Sequence, residues 1–206
     1  MKSISSLFVL LALAKAACAD EIGSVGAVNQ SAVGTPPQSR SRALAVGMSV
    51  ENKERIETGI DGSAQIIFRD TSTMTIGRKS SIVVDRFAYD VANSQISQGI
   101  NLTKGILRFV GGGVSHTTGA EIKIPAASIG IRGGSILVMI ESGGQAVVIL
   151  QYGTATIVSS RTTRVLSRPG LAAIIDRDGG ISEAFRAPAN LITQAATKLS
   201  STIGQN

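Results

Sequence analysis

The sequence predicts an all-β fold, a sandwich or a solenoid-like coil of strands, with one short C-terminal helix. Short runs rich in β-branched residues recur every ~8–12 residues between turn signals. From Ser63 to Ile76 apolar and polar residues alternate with a period of two, and no helical period competes. Helical spacing enters only after Pro188, where Leu191, Ile192, Ala195, Leu199 and Ile203 recur on one face.

Residues 1–19 read as a leader. Lys2 gives a positive start, Leu7 to Leu13 form an apolar core, and Ala17 and Ala19 are small residues at the two positions a signal peptidase inspects. Cleavage is expected before Asp20, which makes the protein periplasmic or secreted. A lipoprotein would instead be cut before Cys18 and acylated there, but Lys15 stands where such signals need an apolar residue. No later run approaches roughly 18 uninterrupted apolar residues, so no transmembrane segment is expected.

A first strand is expected near Ala27–Val33, a solvated loop over Gly34–Arg42 and a second strand near Ala43–Val46. The hairpin follows: Ala64, Ile66 and Phe68 face inward, Asp70-Thr71-Ser72 turns, and Met74 and Ile76 resume the inward face. A further strand carries Ile82, Val84 and Phe87 inward. Val91–Gln98 reads as a polar link, Gly105–Val110 as a strand, and Gly111-Gly112-Gly113 as a flexible loop carrying His116.

The stretch from Ile122 to Ile140 organises the chain. Two apolar runs flank Gly130-Ile131-Arg132-Gly133-Gly134, read as a small-residue turn, and Ile136–Ile140 carries no polar residue on either face, as in a strand covered on both sides. Gly130 and Gly133 supply backbone freedom. Arg132 is expected to satisfy backbone carbonyls or to meet a partner, with the structural role favoured; as a carbonyl donor its loss would cost about 1–3 kcal/mol. Ala146–Leu150 is again apolar on both faces, Tyr152-Gly153 reads as a turn, and Thr154–Val158 as an outer strand. Thr163–Leu166 and Ala172–Asp176 extend the sheet within residues 159–187. Residues 188–206 form the amphipathic helix, near Ala189–Ser201, or a tail.

Chemistry is sparse. The 206 residues carry a formal net charge of +6, which falls by two with Lys2 and Lys15, and 3% are aromatic. Scattered cations with few stacking partners argue against nucleic acid. The single cysteine leaves with the leader, so no disulfide forms and no thiol nucleophile remains. His116 is the sole histidine and reads as a solvated side chain; neither a zinc site nor a catalytic base is expected. Asp176-Arg177-Asp178-Gly179-Gly180 reads as a hairpin rather than a calcium loop. Glu54, Glu57, Asp61, Asp70, Asp85 and Asp90 could supply paired acids for glycoside hydrolysis, but a chain with no tryptophan offers little to stack a sugar. No cofactor is expected.

Leu44–Val50, Arg55–Thr58, Gly62–Asp70, Ser81–Asp85 with Tyr89-Asp90, Gly105–Phe109 and Ile124–Gly133 together, in that order, resemble the FecR domain over roughly 25–158. Ile124 and Gly134 depart from it, each standing where the family usually has threonine. The resemblance implies an all-β extracytoplasmic module. The family takes its name from an iron-citrate sensor that spans the inner membrane and controls a sigma factor; this chain looks like a free-standing, exported version. The expected function is therefore non-catalytic binding or scaffolding of a protein or cell-envelope partner. The alternatives are a periplasmic component of transporter-linked signalling and, from the enzyme class, a carbohydrate-active hydrolase.

Overall fold

The computed structural model describes residues 20–29, 31–90 and 95–200. Residues 1–19, with Ala17 and Ala19 of the expected cleavage site, and Ile203 lie outside the described residues. Asp20 lies inside: its carboxylate accepts a hydrogen bond from Asn52 Nδ2, and its carbonyl one from the Asn52 N–H.

The N-terminal strands are β1 (Glu21–Asn29), β2 (Ala32–Thr35), β3 (Arg42–Ala43), β4 (Ser49–Glu51) and β5 (Arg55–Thr58). Then come β6 (Ser63–Phe68), β7 (Thr73–Ile76), β8 (Ser81–Asp90) and β9 (Gln95–Val110). A short helix, α1 (Gly113–Thr117), precedes β10 (Ala120–Ile124), β11 (Ala127–Ile140) and β12 (Ala146–Val158). β13 (Thr163–Leu166), β14 (Leu171–Ile175), β15 (Phe185–Arg186) and α2 (Ala189–Leu199) complete the chain.

The strands form one sheet with β9 as its spine. The first half of β9 pairs antiparallel with β8 and parallel with β10; its second half pairs with β7 and β11. One arm runs from β8 through β5 and β2 to β3, the other from β7 through β6 and β1 to β4. Inward residues of both arms, among them Ile22, Val50, Ile56, Ile66, Met74 and Ile82, belong to one buried cluster. The sheet therefore folds back on itself as a sandwich does, while staying a single open sheet.

The alternation of the hairpin holds, with Ala64, Ile66, Phe68, Met74 and Ile76 all buried. On β8 a bulge between Val84 and Arg86 explains how Ile82, Val84 and Phe87 all face inward despite their uneven spacing. Phe87 stacks on Phe68, ring centroids 5.4 Å apart.

Several expectations need correction. The strand expected near Ala27–Val33 is two: β1 begins at Glu21 and pairs with β6 and β4, while Ala32 and Val33 belong to β2, which pairs with β5 and β3; of the strand expected over Ala43–Val46 only Ala43 is strand. The strand expected from Gly105 begins at Gln95, so the link over Val91–Gln98 is in its last part strand, held between β8 and β10. His116 sits on α1 rather than in a loop. Most importantly, Gly130–Gly134 is no turn: the hairpin turns at Pro125-Ala126, and β11 runs unbroken through the glycines. Likewise β12 runs through Tyr152-Gly153.

What the glycines provide is a paired bulge. The β11–β12 register shifts between Arg132 and Ser135, and inward positions change parity, from Ile129 and Ile131 to Ile136 and Val138. Facing them, Leu150 gives way to Ala155. Gly133 and Gly153 have φ of 53° and 84°, and a Cβ on Gly153 would collide with the Gly133 carbonyl.

Beyond the bulge both faces of β11 and β12 are covered, as Ile136–Ile140 and Ala146–Leu150 predict. Ile136, Val138, Val148 and Leu150 enter the main core; Leu137, Met139, Val147 and Ile149 form a second cluster under Leu191, Ala195 and Leu199 of α2. Ile192 is a correction, since it is 49% exposed: the buried stripe follows the i, i+4, i+8 row and leaves it to one side. The C-terminus of α2 is capped from afar. Arg78 Nη2 donates to the carbonyls of Thr197 and Ser200, the Arg78 N–H to that of Lys198, and Lys198 Nζ pairs with Glu141 at 2.9 Å. Among the described residues no helix is long and apolar enough to cross a membrane.

Candidate functional site

The outer face of β11 and β12 has two halves. The half past the bulge is apolar and lies under α2. Before the bulge the outward residues are Ser128, Gly130 and Arg132 on β11 and Thr154, Thr156 and Val158 on β12, because their neighbours Ile129, Ile131, Ala155 and Ile157 point into the core. This half is open. Glu121 of β10, Ser97 and Gln98 of β9 and Arg86 of β8 continue it into a concavity of about 750 Å³.

Its charges are loosely held. Glu121 lies 3.8 Å from Arg86 and 3.9 Å from Lys123, all at partly exposed positions where such pairs contribute little. Arg132 is exposed and, among the described residues, makes one hydrogen bond, from Nη2 to the Thr117 carbonyl at 3.4 Å. The several carbonyls a structural guanidinium would serve are not gathered around it.

The other two candidates behave differently. Gly130 has no close neighbour; a Cβ there would sit 3.8 Å from the Thr156 carbonyl. Gly133 lies in the bulge, where a Cβ would sit 3.0 Å from His116 Nδ1. Thus Gly130 and Arg132 are brought together on the open face, and Gly133 shapes the bend beside it. At Gly134 a Cβ would strike the Tyr152 carbonyl, so the departure from threonine there has a steric reason. Ile124 in the other departure is buried in the main core.

Beneath the face lies a buried polar cluster whose residues read from sequence as a simple turn and a polar link. Asp70 Oδ1 accepts from the Ser72 N–H at 3.0 Å and its hydroxyl at 2.6 Å, and Oδ2 accepts from the Val114 N–H at 3.0 Å. The carboxylate thereby serves the first turn of α1 from another element, as an N-cap would. Gln98 Nε2 donates to Ser72 Oγ at 3.0 Å, while its Oε1 is buried with no partner. The sequence signal was the Asp-x-Ser spacing, which favours a side chain bonding the backbone two residues on.

The second missed pair is Glu54 with Arg42. Glu54 is fully buried; Oε2 accepts from the Glu51 N–H at 2.9 Å, and Oε1 lies 3.1 Å from Arg42 Nη1 without an aligned hydrogen bond. Burial pushes its carboxyl above the ordinary value, against the opposing pull of the Glu51 N–H and of Arg42. Glu54 and Asp70 are thus committed to separate buried clusters. Asp176 accepts from Gln145 and Asp178 pairs with Arg161 at 2.8 Å, around a turn closed by Gly179 N–H to the Asp176 carbonyl. Among the described residues no three of His, Cys, Asp and Glu are grouped to hold a metal.

The sequence model of the family described as FecR protein matches residues 54–156, half of the chain. The chain belongs to the FecR family. The match begins at the buried Glu54 and ends at Thr156 on the open face, so in this FecR protein β1–β4, β13–β15 and α2 lie outside it. Two crystal structures of a putative anti-sigma factor from Parabacteroides distasonis ATCC 8503, at 2.50 and 1.65 Å resolution, share the fold, with TM-scores of 0.54 and 0.53 and 15% and 14% identity. The match covers 68% of this chain and 62% of each of those. No curated protein matches the chain.

Proposed function

We propose that this FecR protein is a non-catalytic binding module of the cell envelope, exported by residues 1–19, which engages a protein partner through the open face around Arg132. One observation carries the reading. The apolar half of the outer face is sealed by α2, whereas the polar half is left bare with a guanidinium that has almost no intramolecular work. A planar fork of donors in a shallow, hydroxyl-rich concavity suits carbonyls and carboxylates of another chain.

A photo-crosslinking residue at Arg132 or Thr154 should give one discrete protein adduct in envelope preparations, and the same residue at Val165, an exposed edge position, should not. Adducts of equal yield at all three positions, or none at the first two, would sink the proposal. Export has its own test: removing residues 1–19 should leave the protein in the cytoplasmic fraction, and unchanged fractionation would remove the exported part of the reading.

A second reading, a relay in transporter-linked signalling, is supported by the family and by the fold shared with a putative anti-sigma factor. It requires a separate partner that spans the membrane. Deleting this chain should then abolish induction of a sigma-factor-dependent reporter; an undiminished response would exclude it.

A further inference from the structure

We infer that the cleft between the C-terminus of α2 and the β7–β8 turn binds a small organic anion with an apolar body. The cleft encloses about 760 Å³, in the range of small-molecule sites. It lies on another part of the molecule from the face around Arg132 and does not rest on the function proposed above.

Cations outnumber carboxylates in the cleft. Arg78, Lys79, Lys104 and Lys198 line the cleft against one carboxylate, Glu141. Lys198 is spent on Glu141, with Nζ 3.0 and 2.9 Å from its two oxygens. Arg78 answers the negative end of the α2 dipole through Thr197 and Ser200, and its Nε remains buried without a partner. Lys79 and Lys104 have no counter-charge among the described residues. Two unbalanced, exposed ammonium groups at one concavity match a carboxylate or phosphate head.

The turn that presents Lys79 is pinned. Lys79 has φ of 52°, a conformation L-residues rarely hold, and it is fixed by its own N–H to the Gly59 carbonyl at 2.9 Å and by Gly77 N–H to the Ile106 carbonyl at 3.0 Å. Part of the lining is apolar. Ile60, 64% exposed, and Pro125, also exposed, serve no part of the core yet stand at the cleft with Ile140. A body of several methylenes would cover them and leave the head at the lysines.

The test is calorimetric titration of the purified protein with octanoate, with octanol as the neutral body and inorganic phosphate as the head alone. Octanoate should bind at one site, and octanol and phosphate at least about tenfold more weakly. Lys79→Asn with Lys104→Gln should weaken octanoate at least about tenfold at an unchanged melting temperature, since asparagine accepts the positive φ; if that pair fails to fold, Lys104→Gln alone should weaken it severalfold. Ile60→Ser should also weaken it, and Arg132→Ala should not. Absence of octanoate binding by the parent, undiminished binding by the lysine variants, or equal binding of octanol overturns the inference.

Discussion

At Glu54 two demands meet, a carboxylate required by an orphan N–H and an Arg42 guanidinium, and an interior that penalises its charge. Burial prevails, and the folded-state pKa lies above the ordinary 4.5. Between the unfolded and folded values the native state keeps a proton that the unfolded chain has released, so stability falls as pH rises. The contribution is complete below about pH 4.5 and is lost through the folded pKa. Urea midpoints of parent and Glu54→Gln, measured upward from pH 4, should therefore diverge in slope; parallel curves would show that Arg42 cancels the burial. Arg132 is the opposite case. Exposed and singly bonded at 3.4 Å, it should lose no more than about 0.5 kcal/mol on Arg132→Ala, below the 1–3 kcal/mol of a carbonyl-satisfying role, because a surface side chain leaves nothing buried unpaired. Chemical denaturation distinguishes the two.

Among the elements, the paired bulge of β11 and β12 and the docked α2 decide the outer face. Gly153→Ala should cost at least about 2 kcal/mol, since it adds the strain of a positive φ to a collision with the Gly133 carbonyl. Gly130→Ala, with open space at its Cβ, should stay within about 0.5 kcal/mol of the parent. If Gly153→Ala melts like Gly130→Ala, the bulge is not what bends the pair. Helix docking has a separate signature: Arg78→Ala removes donors to the last carbonyls of α2 and should cost about 1–2 kcal/mol. Amide exchange over Ala189–Leu199 should then accelerate, with β6 and β7 protected as before. Uniform acceleration across the sheet would mean that α2 does not open on its own.

For the whole molecule, most contacts join residues far apart along the chain, within long hairpins and across them. β1 reaches across β2–β5 to β6, and β9 holds β7, β8, β10 and β11 at once. Loop closure must come before these contacts reward it, so refolding is expected on a scale of milliseconds to seconds or slower. Stopped-flow fluorescence of Tyr89 and Tyr152, the two tyrosines of the chain, would read it, and completion within microseconds would contradict this topology.

Most inward-facing side chains can be read from the chain alone. Ala64, Ile66, Phe68, Met74 and Ile76 alternate, the two-sided runs at Ile136–Ile140 and Ala146–Leu150 announce cover on both faces, and the helix is placed by its changed period. These are local consequences of side-chain direction, and a local pattern records them. The ordered FecR motifs were legible for a similar reason, as runs contiguous along the chain. How neighbours divide that pattern emerges only once the strands have paired: Gly130–Gly134 and Tyr152-Gly153 are facing bulges inside long strands rather than turns, α2 seals half of one face and leaves Arg132 on the other half, and Asp70 caps α1 while Arg42 answers Glu54. A glycine permits both a turn and a bulge, and a buried carboxylate takes whichever donor the fold brings to it. Those choices are made by pairing partners far away along the chain.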